Sequence, residues 1–482
     1  MSRAVCLALA LLWVACGSPS GTGTGGGGGG QAGGTGGSGG GSAGGSGGAG
    51  GGGLGGGGGA GGGGGGSGGG GGSGGGAASG GSFTIPTTVM STQVAVGPDG
   101  VWHASHHTAI GRIAYGQCAG ACGESQSWQW VELESVAFAH NTRLAVGPDQ
   151  RVHLVYSYTA GAFSHTLVYA TCASGCGQAA NWTKTELAMP ADCDSPENSG
   201  LVLDAQGRLS FLMSDGNDTK ACLVTCAGNC AAASSWQSGL VAAIPQGSPR
   251  TAFVLAGHGA TLHLLYNDGQ SALRYQSCAG QCTNPANWQL SPPLFYHAGT
   301  SLSLAASPQG VLWVAYNQGA LPPTAPADAR AFDNQLHLFE CTSNCLDPSA
   351  WVGFTTGATD GVHGVAITER GGRVAVATAQ TTGTKVYLCS QGGCGAPSAW
   401  GAGEVETISS LTAALPDPTA LDTCTVNGQP VPPQQAAWHP EKPSIAVGAD
   451  ALLVQAATNG LHTCPGLNPS SHAGFGRMHF VR

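Results

Sequence analysis

Charge is the scarcest property of this chain. Only 9% of its 482 residues are Asp, Glu, Lys or Arg, and the 16 Lys and Arg residues are scattered without forming a basic stripe. Gripping a phosphate backbone takes clustered cations, so the composition argues against nucleic acid as a partner. The net charge of −9 is acidic but too thinly spread for a polyelectrolyte. Long apolar runs are missing too. The run from Ala4 to Ala15 is too short to span a bilayer as a helix. The 86 glycines show no Gly-X-Y period with proline, which excludes collagen. Any folded surface must therefore be built mostly from Ser, Thr, Asn, Gln and Gly.

What is present at the start has the shape of an export signal: Arg3, the apolar run, then Cys16-Gly17-Ser18. Val14-Ala15-Cys16-Gly17 resembles a bacterial lipobox, with Trp13 where that motif usually carries Leu. The resemblance implies cleavage before Cys16 and lipidation of Cys16, hence attachment to a membrane through the N-terminal lipid. No Asp follows Cys16, which favours outer-membrane placement in an envelope of enterobacterial type. Residues 17–82 are almost wholly Gly with Ser, Ala and Thr, and such a segment buries too little to offset its ordering entropy. It is expected to be a disordered tether with a root-mean-square span of roughly 40–50 Å. The folded domain is expected over 83–482.

That domain is organised by a cassette of two close cysteines and a tryptophan, which recurs six times. The copies are Cys118/Cys122/Trp128, Cys172/Cys176/Trp182, Cys226/Cys230/Trp236, Cys278/Cys282/Trp288, Cys341/Cys345/Trp351 and Cys389/Cys394/Trp400. The Trp always stands six places after the second Cys, a regularity that points to internal duplication. Even cysteine numbers in an exported chain imply disulfides, expected within each cassette and between the leftovers, Cys193–Cys222 and Cys424–Cys464. A zinc site is the weaker reading, because the pairs lie about 50 residues apart in separate repeats.

Upstream of each cassette the sequence also recurs. One copy reads Leu144 to Asp149, Arg151 to Tyr156, Leu167 to Cys172 and Trp182 to Leu187, four short apolar or alternating runs between turn residues. Four antiparallel strands per unit of about 50 residues predict an all-β propeller. Further units begin near Val94, Leu201, Phe253, Leu302 and Val365. A seventh is incomplete: Ser444–Asp450, Leu452–Ala456 and Arg477–Val481 supply three strands, leaving Phe83–Val89 to close the ring as the fourth. Seven blades are predicted, with six as the alternative.

First strands ending in Gly-Pro-Asp, second strands such as His153-Leu-Val-Tyr156 and a turn ending in Trp resemble the bacterial-neuraminidase (Asp-box) repeats of sialidase-like propellers. The resemblance implies a Trp packed between blades, with a disulfide replacing the Asp that pins the turn. It also implies a carboxylate-binding arginine in a Phe/Tyr-Arg-Ile-Pro motif. Here Phe83-Thr84-Ile85-Pro86 carries Thr84 in its place, and a hydroxyl cannot form the bidentate ion pair. Sialidase chemistry is therefore not expected, and no catalytic residues, cofactor or metal are assigned. Asp192, Asp194 and Glu197 read as a polar loop.

His103, His153 and His263 share one second-strand position and are expected to be structural. His140, His297, His363 and His439, with Arg143 and Arg250, fall in connections leading into first strands and mark a candidate channel mouth. The variable insertions 188–199, 319–334 and 405–440 are expected to carry the ligand surface. The function read from these features is an envelope-anchored, monomeric binding or scaffolding module for a surface glycan or an envelope protein. The alternative is a glycan-active hydrolase or lyase with its site at the channel mouth.

Overall fold

The computed structural model describes residues 80–108, 111–136, 138–159, 165–193, 198–204, 206–215, 217, 219–244, 253–268, 272–296, 301–317, 335–355, 362–380, 382–389, 393–415, 424–426, 429–431, 435–463 and 470–481. It is a seven-bladed β-propeller. Blade 1 holds β2 (Ser91–Val96), β3 (Trp102–His107), β4 (Arg112–Cys118) and β5 (Gln129–Ser135), ordered from the axis outward. Blade 2 repeats this with β6 (Phe138–Val146), β7 (Val152–Thr159), β8 (His165–Cys172) and β9 (Thr183–Leu187). Blades 3 to 6 continue in chain order through β26 (Trp400–Thr407). Contacts between successive innermost strands run around the ring and return from β29 (Gln435–Val447) to β2.

Closure happens as the sequence predicts. In blade 7, β29, β30 (Leu452–Thr463) and β31 (Ser470–Val481) are joined on the outside by β1 (Gly81–Val89), with Phe83 opposite Met478. The first and last strands of the domain thus share a sheet, and the edge an open array would expose is paired. The strands of this blade are longer than the sequence suggested. Much of the expected insertion at 405–440 belongs to regular structure: a short helix α1 (Ile408–Ala414), a hairpin of β27 (Cys424–Val426) and β28 (Gln429–Val431), and the first residues of β29.

The sheets pack face to face, and an apolar cluster fills each junction. Ile113, Tyr115 and Leu133 of blade 1 meet Leu144, Val152 and Leu154 of blade 2. Ala375, Ala377 and Val386 of blade 6 meet Ile445, Leu452 and Val454 of blade 7. Second and third strands are covered on both faces, which is why they read as near-continuous apolar runs, and each large side chain buried there contributes roughly 1.5–3 kcal/mol. Innermost strands lack a ladder partner on the axis side. Hydroxyls of the preceding blade satisfy some of their N–H groups: Ser444 Oγ accepts from Val94 N (2.9 Å), Ser301 Oγ from Val365 N (2.7 Å) and Ser303 Oγ from Ile367 N (3.0 Å).

An antiparallel meander puts its connections at two ends. Turns between first and second strands share one end with the cassettes, the cassette face. The opposite end receives the insertions and every blade-to-blade connection. On the cassette face, the guanidinium of Arg370 reaches past blade 7 to the carbonyls of Val96 and Gly97 in blade 1 (3.2 and 3.0 Å). Gly81, where β1 begins, lies against Gly123 of the first cassette, so the chain enters the ring from this face.

Candidate functional site

The cassette explains its own spacing. Its two cysteines are bonded in all six copies, with Cα atoms 5.7–5.9 Å apart, and Cys193–Cys222 forms a seventh bridge. A single 3-10 turn then carries the chain back toward the blade. Six residues after the second Cys, the indole N–H donates to that cysteine's carbonyl: Trp128 to Cys122 (3.0 Å), Trp182 to Cys176 (2.9 Å), Trp236 to Cys230 (2.9 Å), Trp288 to Cys282 (2.7 Å), Trp351 to Cys345 (2.9 Å) and Trp400 to Cys394 (2.8 Å). A residue more or less would move the donor off its acceptor. The ring of each Trp faces the preceding blade. Trp182 meets Tyr115 at 4.9 Å, Trp236 meets Tyr169 at 5.1 Å, Trp351 meets Tyr275 at 5.8 Å, and Trp128 meets Phe83 of the closing strand at 6.3 Å. Cysteine 464 lies outside the described residues, and with it the expected Cys424–Cys464 bridge.

Beneath the cassettes the second-strand histidines are buried and paired with tyrosine. His103 Nδ1 lies 2.6 Å from the Tyr115 hydroxyl, His153 Nδ1 2.7 Å from that of Tyr169, and His263 Nδ1 2.7 Å from that of Tyr275. Each tyrosine comes from the third strand of the same blade, one diagonal step from the histidine. Burial pushes all three imidazoles from 6.5 down to about 4, against an opposing pull from Asp99 on His103 and from Asp149 on His153. They are neutral at physiological pH. Burial likewise raises the tyrosines, Tyr275 to about 12. In blade 1 the Tyr115 hydroxyl donates to Gln117 Oε1 (3.3 Å), and Gln117 Nε2 donates to Gln129 Oε1 (3.1 Å). With the tyrosine proton directed at Gln117, the compatible tautomer of His103 carries its proton on Nδ1 and offers Nε2 as an acceptor.

Two pockets open on the cassette face directly above these groups. One, of about 430 Å³, lies between blades 1 and 2 and is lined by Asp99, His103, Gln117, Gln129, Gln150 and Ser174 among others. The other, of about 550 Å³, lies between blades 2 and 3 and is lined by Asp149, Arg151, His153, Thr171, Gln206 and Asn229 among others. They occupy equivalent positions, one blade apart: the turn aspartate, the second-strand histidine and the neighbouring cassette recur in both. Repetition of the fold has repeated the pocket.

The residues singled out from sequence fare differently. His140 is half-buried; its Nε2 lies 3.0 Å from Thr159 Oγ1, which also lies 3.1 Å from His165 Nδ1, so its partners are in its own blade. Burial and the neighbouring His165 push it down to about 4. Arg143 donates to the Thr142 carbonyl (2.9 Å). Backbone bulges fall at His140 in β6 and at His363 in β23 (Val362–Arg370), while His439 pairs with Asn459 in the long hairpin of blade 7. Arg250 and His297 lie outside the described residues. Among the described residues, no three His, Cys, Asp or Glu side chains gather as metal ligands. Thr84 sits on the outermost strand of blade 7, where it accepts from Arg477 Nη1 at 2.6 Å.

Sequence reasoning missed the buried group around that contact. Arg477 donates twice to Glu406 Oε1 (2.9 and 2.6 Å), and His479 Nε2 lies 3.3 Å from Glu406 Oε2, joining blades 6 and 7. Burial alone would raise the Glu406 carboxyl, but His479 and Arg477 outweigh it and hold its pKa below the usual value. Nothing in the linear spacing of these residues brings them together. The pockets were missed for the same reason, although the recurring Asp and His were visible.

No protein-family model matches the chain, and no curated protein matches it. Solved structures similar to it include propeller lectins and glycan-cleaving enzymes. A fucose-specific lectin from Aleuria aurantia is 12% identical at a TM-score of 0.39, covering 82% of this chain and 97% of its own. A mutant of NanB sialidase from Streptococcus pneumoniae is 8% identical at 0.42, covering 61% of this chain and 67% of its own. The alpha-L-arabinofuranosidase Arb93A from Fusarium graminearum is 11% identical at 0.41, covering 84% and 98%. Similarities of this size bear on neither ligand nor chemistry.

Proposed function

We propose that the protein is an exported, non-catalytic propeller that binds a glycan of the cell envelope, held near an outer membrane by a lipid on Cys16 and by the tether of residues 17–82. The observation that carries the reading is the pair of equivalent pockets, walled by amides, hydroxyls, neutral imidazoles and one turn aspartate each, with Arg151 in the second, on a rigid, disulfide-pinned frame. Such walls match a ligand rich in hydroxyl groups. The disulfides belong to an oxidising compartment, in keeping with export. Among the described residues, no helix is long and apolar enough to cross a membrane.

The test is retention of the full-length protein on immobilised polysaccharides, neutral and acidic, with reducing-end release followed in the same samples. Retention without release is the expected result. Release of reducing ends or unsaturated products would overturn the non-catalytic reading in favour of a hydrolase or lyase. Failure to be retained on any polysaccharide would overturn glycan binding.

A further inference from the structure

The two pockets differ in charge but agree in polarity, and that difference narrows the ligand. The Asp99 carboxylate is the charged wall of the first pocket, where it already accepts from Val101 N (3.1 Å). In the second pocket, Asp149 is accompanied by Arg151, whose Nε lies 3.6 Å from its carboxylate. An anion would meet an unbalanced carboxylate in one pocket, and a cation would meet a guanidinium in the other. What both share is a neutral imidazole at the floor, a carboxylate acceptor and side-chain amides: Gln129 and Gln150 in the first, Gln206 and Asn229 in the second. Neutral hydroxyls, which donate and accept at once, satisfy both sets.

We propose that the clefts between blades 1 and 2 and between blades 2 and 3 are two copies of one binding site for a neutral sugar unit, so that the cassette face engages a polysaccharide at more than one point. The proposal rests on the glycan-binding reading and adds to it the site, the face and the charge class of the ligand. It moves the ligand surface from the insertion end, where the sequence placed it, to the opposite end. Among the described residues no tryptophan or phenylalanine lines either pocket, and the ring of Tyr169, which lines the second, is already packed against Trp236 at 5.1 Å, so each site lacks a broad stacking platform and is expected to bind a single sugar weakly. Strength then comes from linkage. A second contact on the same polymer is intramolecular, and two weak sites gain about 10²-fold or more in avidity.

Ser174 and Asn229 are exposed at the rims of the two pockets, which allows each to be blocked without touching the core. The experiment measures retention of the full chain on a neutral and an acidic polysaccharide, for wild type, Ser174→Trp, Asn229→Trp and the double variant, with melting curves confirming folding. Methyl glycosides of neutral hexoses serve as monovalent competitors. The expected result is retention on the neutral polymer, a loss of at least about tenfold in avidity for either single variant, and loss to background for the double. The milder pair Gln150→Ala and Gln206→Ala is expected to weaken retention several-fold, which keeps the test informative if a Trp variant misfolds. Wild-type retention by the double variant would sink the pocket assignment and leave glycan binding standing. Retention on the acidic polymer alone would refute the charge class, and no retention by wild type would remove both readings.

Discussion

Lowering the pH from 7.5 to 5 is expected to remove about 6 kcal/mol of folding stability through the three second-strand histidines alone. His103, His153 and His263 are 5–7% exposed and held at about 4 by burial, whereas the unfolded chain titrates them at 6.5. Between those values the unfolded state takes up protons that the folded state refuses, so stability falls as pH drops through 6.5 and levels off below about 4. At pH 5 each imidazole accounts for about 2 kcal/mol, and the slope approaches about 1.4 kcal/mol per pH unit per histidine. A domain of this kind has roughly 5–15 kcal/mol to lose. His106, fully buried and also near 4, adds to the loss, while Glu340 and Glu369, raised by burial, oppose it. The carboxylates with lowered pKa, Glu406 and Asp215, matter only at lower pH. The assay is urea unfolding followed by tryptophan fluorescence at pH 7.5, 6 and 5 without reductant. A His153→Asn variant, whose amide can reach the same tyrosine, should be less stable at pH 7.5 but lose about one proton's worth of slope. Stability that differs by less than about 1 kcal/mol between pH 7.5 and 5 would refute the reasoning, because it would mean the folded imidazoles titrate as if in water.

Trp182→Phe keeps the ring against Tyr115 but deletes the donor to the Cys176 carbonyl, and is expected to cost about 1–3 kcal/mol in a denaturant titration. Gln150 occupies, at φ +65°, the turn position filled by Gly100, Gly207 and Gly310 in other blades, so Gln150→Gly should stabilise by about 0.5–1 kcal/mol, measured as a higher melting temperature. Glu406→Leu strands the Arg477 guanidinium between blades 6 and 7 and is expected to cost about 3–5 kcal/mol, while Glu406→Leu with Arg477→Met should recover most of it. Deleting residues 83–89 unpairs the outer edge of β31, and the truncated protein is expected to lose its sharp melting transition and to associate in sedimentation. A sharp, monomeric transition in that variant would argue against closure by this strand.

Much of the architecture was legible because a duplicated sequence writes its period openly. The Cys-Cys-Trp cassette marked the turn between third and outer strands, and Gly-Pro-Asp marked the turn between first and second. The spare strand at 83–89 could be matched to the blade that lacked one by counting alone. The shared second-strand position of His103, His153 and His263, filled by Ser210 or Trp313 in other blades, was legible too, but not that two of these histidines line pockets. Less legible was blade 7, where strands of 12–13 residues replace much of an expected loop. Pairing partners decide such lengths, and these lie far apart in sequence.

The sequence by itself determined a local code: which residues turn, which alternate, which cysteines close a small loop, and where the indole must stand to reach its carbonyl. Each of these is settled within about ten residues of chain, so a linear reading reaches them. Only the tertiary structure decided what meets across a junction. Asp99 and His103 make a pocket only because Ser174 arrives from the next blade, and Thr84, Glu406 and Arg477 meet only because the ring closes. The physical reason is that blades pack face to face, so pockets and buried ion pairs form between repeats whose residues are separated by one full period or by the whole chain.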